Sequence, residues 1–144
     1  MHPFPHHYSV AVSIRPGETA KLRTAELDEI ESAPPKEFDG PGDRWSPEGL
    51  LTAAVADCIS LNFQGIAANS KFPWISLEGT TNAVLDRVDG KMRFTRIDTH
   101  IALAIPAGAN PDRARLLLEK AEAGCPVSNT LNCEKQLTTD IKVG

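Results

Sequence analysis

Three cysteines occur in the 144-residue chain, and two of them stand where a thiol could react. Cys125 lies in "AEAGCPVSN", between Gly124, a helix stop, and Pro126, a helix start. If Pro126 opens a short helix to about Leu131, Cys125 is its N-cap. A thiol there faces orphan backbone N–H groups and the positive end of the dipole, which favour thiolate and lower its pKa. The alternative is a small apolar side chain filling a corner between helices, a common role of free cysteine. Cys58, in "VADCISLNF", shares a helix face with Leu51 and Val55 at i, i+4, i+7 spacing. That suits a core position, and Asp57 beside it would raise a thiol pKa. The residues alone leave open whether Cys58 is core or chemistry. Cys133, next to Glu134, reads as a buried bystander.

The elements that must position these thiols follow from periodicity and punctuation. Residues 8–14 alternate, with Tyr8, Val10, Val12 and Ile14 on one face, which predicts a half-buried strand. "RPGET" turns the chain, and residues 20–26 return as the hairpin partner. Residues 33–47, "APPKEFDGPGDRWSP", predict a long ordered loop, since loops beyond about 12 residues in compact domains are usually functional or disordered. Ser46 as cap, Pro47 in the first turn and Glu48 at the positive dipole end predict a helix running to Ala68. Its composition is almost wholly apolar apart from Asp57, Ser60, Asn62 and Gln64, which predicts a mostly buried helix.

A long hairpin follows, folded at Asp89-Gly90. Its second arm keeps period two through Ile97, Thr99, Ile101, Leu103 and Ile105, whereas Met92 and Phe94 fall out of phase. A bulge near Arg96 is expected. A second helix opens at Asn110-Pro111, carries the apolar stripe Ala114, Leu117, Leu118 and Ala121, and ends at Gly124. A last strand alternates through Leu137, Thr139, Ile141 and Val143. The order is that of an α+β fold with mainly antiparallel sheets packed with two core helices. Residues 1–144 read as one domain, with residues 1–7 as a flexible N-terminus.

The net charge of −4, with lysines and arginines scattered, argues against a nucleic-acid partner, which normally meets a basic stripe. No run of about 18 consecutive apolar residues argues for a membrane span. The start "MHPFPHHYS" lacks the pattern of a secretory signal, so a reducing cytoplasm is expected, and any disulfide would be transient rather than structural. No C-x-x-C or H-x-x-x-H spacing supports a metal site, and no metal or cofactor is expected.

"SPEGLLTAAVADC" followed later by "AEAGCPVSN" resembles the osmotically inducible protein C and organic hydroperoxide resistance (OsmC/Ohr) family, over roughly residues 8–143. The resemblance implies a thiol-dependent peroxidase that reduces organic hydroperoxides, with Cys58 as the peroxidatic thiolate and Cys125 as the resolving thiol of a Cys58–Cys125 disulfide. An external dithiol, often on a lipoyl-bearing protein, would restore the thiols. Glu48 matches the family's motif glutamate. It lies ten residues before Cys58, about 15 Å away along one helix, and so cannot touch the Cys58 of its own chain. The expectation is that Glu48 orients an arginine at a site shared between two chains of an intertwined homodimer. The excess of apolar helix surface points the same way.

The sequence departs from the family where the arginine that holds the thiolate should stand. In the stretch "KEFDGPGDR", Glu37 takes the place of that arginine. Arg15, in the first hairpin, and Arg44, just before the helix, are the remaining candidates. Asp57 and Ile59, flanking Cys58, are smaller departures. A second reading therefore stands beside the first: a non-catalytic protein of the same fold that binds an apolar metabolite.

Overall fold

The computed structural model describes residues 1–144, which form two compact units, Met1–Leu51 and Thr52–Gly144.

The first unit is built on a three-stranded antiparallel sheet of β1 (Ala11–Ser13), β2 (Ala20–Arg23) and β3 (Ile30–Ser32), in that order. Pro16 and Gly17 make the first turn, closed by a 3.0 Å bond from the Glu18 N–H to the Arg15 carbonyl. Gly17 takes φ +80°, as a type II turn requires. The predicted strand 8–14 and its return 20–26 are present but shorter. β3 had no counterpart in the sequence pattern. The loop 33–47 is ordered, as expected: it contains a 3₁₀ turn at Lys36–Phe38 and is fastened by Ala33 N–H on the Trp45 carbonyl at 2.8 Å.

The half-burial expected of β1 is not found. Val12 and Ile14 are each 67% exposed, and Tyr8 and Val10 are exposed as well. Alternation makes an apolar face, but a three-residue strand in a small sheet has nothing within its own unit to cover it.

α1 spans Pro47–Asn69. The Ser46 hydroxyl accepts the Gly49 N–H at 3.0 Å, as its capping role predicts. Only Val55, Ile59, Phe63 and Ala67 are buried, one i, i+4 stripe, while Leu61 is 58% exposed. The expectation of a mostly buried helix fails because apolar residues surround the whole cylinder whereas the core touches one side. By length and composition α1 could cross a membrane, although the sequence has no unbroken apolar run of that length. Its buried stripe is also that of a core helix.

The second unit centres on β4 (Ser76–Val88), β5 (Lys91–Ile105) and β6 (Glu134–Val143). β4 and β5 are antiparallel around Asp89 and Gly90, both with positive φ, and the register shifts between Val84 and Leu85. Val84 faces Arg96 and Leu85 faces Phe94, so Thr95 is the extra residue and the bulge falls where the broken alternation predicted it. Ile97, Thr99, Ile101, Leu103 and Ile105 are all buried. β6 lies parallel to β5, so the chain must cross over between them. It does so through α2 (Pro111–Ala123) and α3 (Pro126–Thr130). The Asn110 side chain caps α2 by accepting the N–H groups of Asp112 and Arg113. The predicted stripe Ala114, Leu117, Leu118 and Ala121 is buried with the α1 stripe, the inner face of β5 and Cys125 in one core.

Candidate active site

Helix α1 and the turn between α2 and α3 bring two thiols together. Cys125 is fully buried, and the side chain of Cys58, half-buried on α1, lies close enough to act on it. Both are free thiols. The segment around Cys125 holds itself in shape through its own motif. Cys125 caps α3, its Sγ accepting the Ser128 N–H at 3.3 Å, and the Asn129 side-chain amide donates to the Ala123 carbonyl at 2.9 Å. Asn129 N–H in turn bonds the Cys125 carbonyl at 2.9 Å. The predicted capping position of Cys125 is thus observed.

Its predicted consequence is reversed. Burial, the largest influence, pushes the Cys125 thiol up to about 11. The neighbouring Cys58 side chain adds to this, and the N–H groups of Ser128 and Val127 only partly oppose it. Removing a thiolate from water outweighs two N–H dipoles at the start of a five-residue helix. At neutral pH Cys125 is therefore a protonated thiol.

Each arginine of this unit is engaged by other groups. Arg96 is held by Asp98, Glu134 and Gln136, Arg113 by the Ser70 carbonyl over the Phe72 ring, and Arg115 by Asp112. Arg87 and Arg93 donate to the carbonyls of Gly90 and Asn132. Cys133, read from the sequence as a buried bystander, is partly buried against the core. No three His, Cys, Asp or Glu side chains gather into a metal-binding group.

The other sequence candidates belong to the first unit. Glu48 lines a pocket of about 350 Å³ with Ile14, Phe38, Pro34, Pro35 and Glu18. Arg44 pairs with Glu31 at 2.9 Å and with Asp43 at 3.4 Å. The Glu31 bond raises the Arg44 pKa, and Arg44 lowers that of Glu31. Arg15 sits at the first turn and makes no ion pair. Glu37, where the family arginine was expected, lies in the 3₁₀ turn.

A protein-family model described as OsmC-like protein matches residues 40–140, which include both cysteine segments and Glu48. The chain belongs to the OsmC-like family. Peroxiredoxin OsmC of Escherichia coli K12 is 33% identical over 97 residues, 67% of either chain. An OsmC-like protein of unknown function from Vibrio cholerae shares the fold with TM-score 0.85 at 16% identity, over 94% of this chain and 99% of that one. An organic hydroperoxide resistance protein OsmC from Legionella pneumophila does so with TM-score 0.71 at 23% identity, over 96% and 99%. The α+β architecture read from the sequence is therefore the OsmC-like fold.

One residue of the site had no sequence signal of its own. Asn62 was read only as part of the sparse polar face of α1, yet its side-chain amide donates to the Ala121 carbonyl at 2.8 Å. Its spacing of four from Cys58 would have placed it on the same helix face.

Proposed function

We propose that this OsmC-like protein is a thiol peroxidase that reduces organic hydroperoxides to alcohols. The observation that carries this reading is the adjoining pair of free thiols, Cys58 and Cys125, at a helix corner of a family containing a peroxiredoxin. The Cys58 thiolate attacks the terminal peroxide oxygen. The O–O bond breaks, the alkoxide takes a proton and leaves as alcohol, and Cys58 becomes a sulfenic acid. Cys125 sulfur then attacks the Cys58 sulfur. Hydroxide leaves with the Cys125 proton as water, and a disulfide forms. An external dithiol, on the resemblance a lipoyl-bearing protein, reduces that disulfide and is itself oxidised to a disulfide.

The working form is a homodimer. The open apolar faces of β1 and α1 support it, because in water such surface favours a second copy. Glu48 then serves a site completed by the partner subunit. Arg15 is the better candidate for the cation, since Arg44 would first have to leave Glu31. The protein acts in the cytoplasm, where a reducing dithiol pool exists.

A second reading is favoured by the pocket beside Glu48, whose lining of Ile14, Ala20, Ala33, Pro34, Pro35 and Phe38 would take an apolar metabolite without chemistry. A steady-state assay separates the two. Cumene hydroperoxide with dihydrolipoamide should be turned over, hydrogen peroxide more slowly, and Cys125→Ser should depend on added small thiol. No turnover by the wild-type protein would leave the binding reading standing.

A further inference from the structure

We infer that Asn62 is a positioning residue that sets the geometry of the Cys58–Cys125 pair, an inference that rests on that pair being the redox couple. The last carbonyls of a helix have no intrahelical partner. At the end of α2 the Gly124 N–H bonds the Lys120 carbonyl at 3.0 Å, and the Cys125 N–H bonds the Glu122 carbonyl at 3.0 Å, one residue short of the α-helical step. The Ala121 carbonyl, which the Cys125 N–H would meet in a regular helix, is thereby released. Ala121 is fully buried, so water cannot replace the lost bond. Asn62 supplies the donor from α1, at 2.8 Å.

Two features make this bond specific to the thiol pair. Asn62 lies four residues after Cys58, one turn along the same face of α1, so the helix that presents the first thiol also carries the clamp. Gly124 leaves the room: a Cβ there would come within 3.2 Å of the Asn62 Nδ2 and 3.3 Å of the Lys120 carbonyl oxygen. A side chain at 124 would press on the clamp from the residue adjoining Cys125.

Without Asn62, Ala121 is left with a buried, unsatisfied carbonyl, and the donor that a regular helix would supply to it is the Cys125 N–H. Taking it would wind α2 on by one regular step and turn Cys125 away from Cys58. Asn62 therefore selects the α2 ending that faces the two sulfurs toward each other.

The test is an equilibrium with oxidised and reduced glutathione, which needs no peroxidase activity. Two protein thiols and one glutathione disulfide exchange to one Cys58–Cys125 disulfide and two glutathione thiols, quantified by mass spectrometry. Asn62→Leu should lower the equilibrium constant at least tenfold, raising the midpoint potential by about 30 mV. Phe63→Leu, which trims the adjacent core, should lower the melting temperature and leave that constant within twofold. Should Asn62→Leu fail to fold, Asn62→Asp, of nearly the same shape but without the amide donor, carries the same expectation. A wild-type protein that forms no such disulfide overturns the proposed redox pair. A normal wild-type constant that Asn62→Leu leaves unchanged, or that Phe63→Leu lowers as much, overturns the positioning role alone.

Discussion

The two units of this chain use apolar strands in opposite ways. In the second, β5 turns five alternating residues into a core closed by α1 and α2, and the thiol pair is held inside that closed framework. In the first, residues 8–14 alternate just as cleanly, yet Tyr8, Val10, Val12 and Ile14 are all exposed. The difference lies in length and cover. A 15-residue strand flanked on both sides by partners supports a helical layer, and a three-residue strand does not. An apolar periodicity thus specifies that a face will be covered, without specifying that the same chain will cover it.

The contrast extends to the candidate site. Its thiols are assembled within the second unit, whereas Glu48, Arg15 and Arg44 belong to the first. If the chemistry resides in the thiol pair, Cys58→Ser should abolish hydroperoxide turnover, since the nucleophile itself is removed. Turnover that survives this change would break the assignment. In stability, Leu118→Ala in the closed core should cost about 2–5 kcal/mol in urea unfolding. Val12→Ala on the open face should stay within about 0.5 kcal/mol at concentrations where the chain is monomeric. A large loss from Val12→Ala only at higher concentration, with sedimentation showing dissociation, would identify the cover as a second copy.

The pH dependence sharpens the same contrast. Cys125 has its pKa raised from 9.0 to about 11 on folding, so the folded state holds this proton more tightly. Its contribution to stability is complete below about pH 9 and is lost as pH rises toward 11. Iodoacetamide labelling of Cys125 should therefore be about a hundredfold slower at pH 8 than for an ordinary thiol, rising tenfold per pH unit until about pH 11. A labelling midpoint below pH 9 would mean that the capping N–H groups, rather than burial, govern the thiol. The smallest effect is expected from Arg44→Ala. Its partners Glu31 and Asp43 are solvent-exposed, and turnover should remain within about twofold unless Arg44 is the activating cation.

Much of the fold was legible because its signals are local. Ser46 and Asn110 cap the helices they precede, Asp89-Gly90 makes the hairpin turn, and the phase break at Met92 and Phe94 marks the bulge at Thr95. β3 was not legible, being three residues long with no alternation to read. The parallel placement of β6 on β5 was also hidden, since strand direction depends on where the crossover lands and not on the strand's own pattern. In the site, both cysteines and Glu48 were visible as motif residues. Asn62 was not, because its partner, the Ala121 carbonyl, lies 59 positions away and any residue could have supplied it.

By itself, the sequence determined the α+β order of elements, the family, and the placement of Cys125 as the cap of a helix that Pro126 begins. These follow from spacing and backbone propensity within a few residues. Only the tertiary structure decided that Cys125 meets Cys58, that burial raises its pKa against the pull of the cap, and that the apolar faces of β1 and much of α1 stay open. Each depends on which distant surfaces come together, and desolvation is a property of that assembly rather than of any one segment.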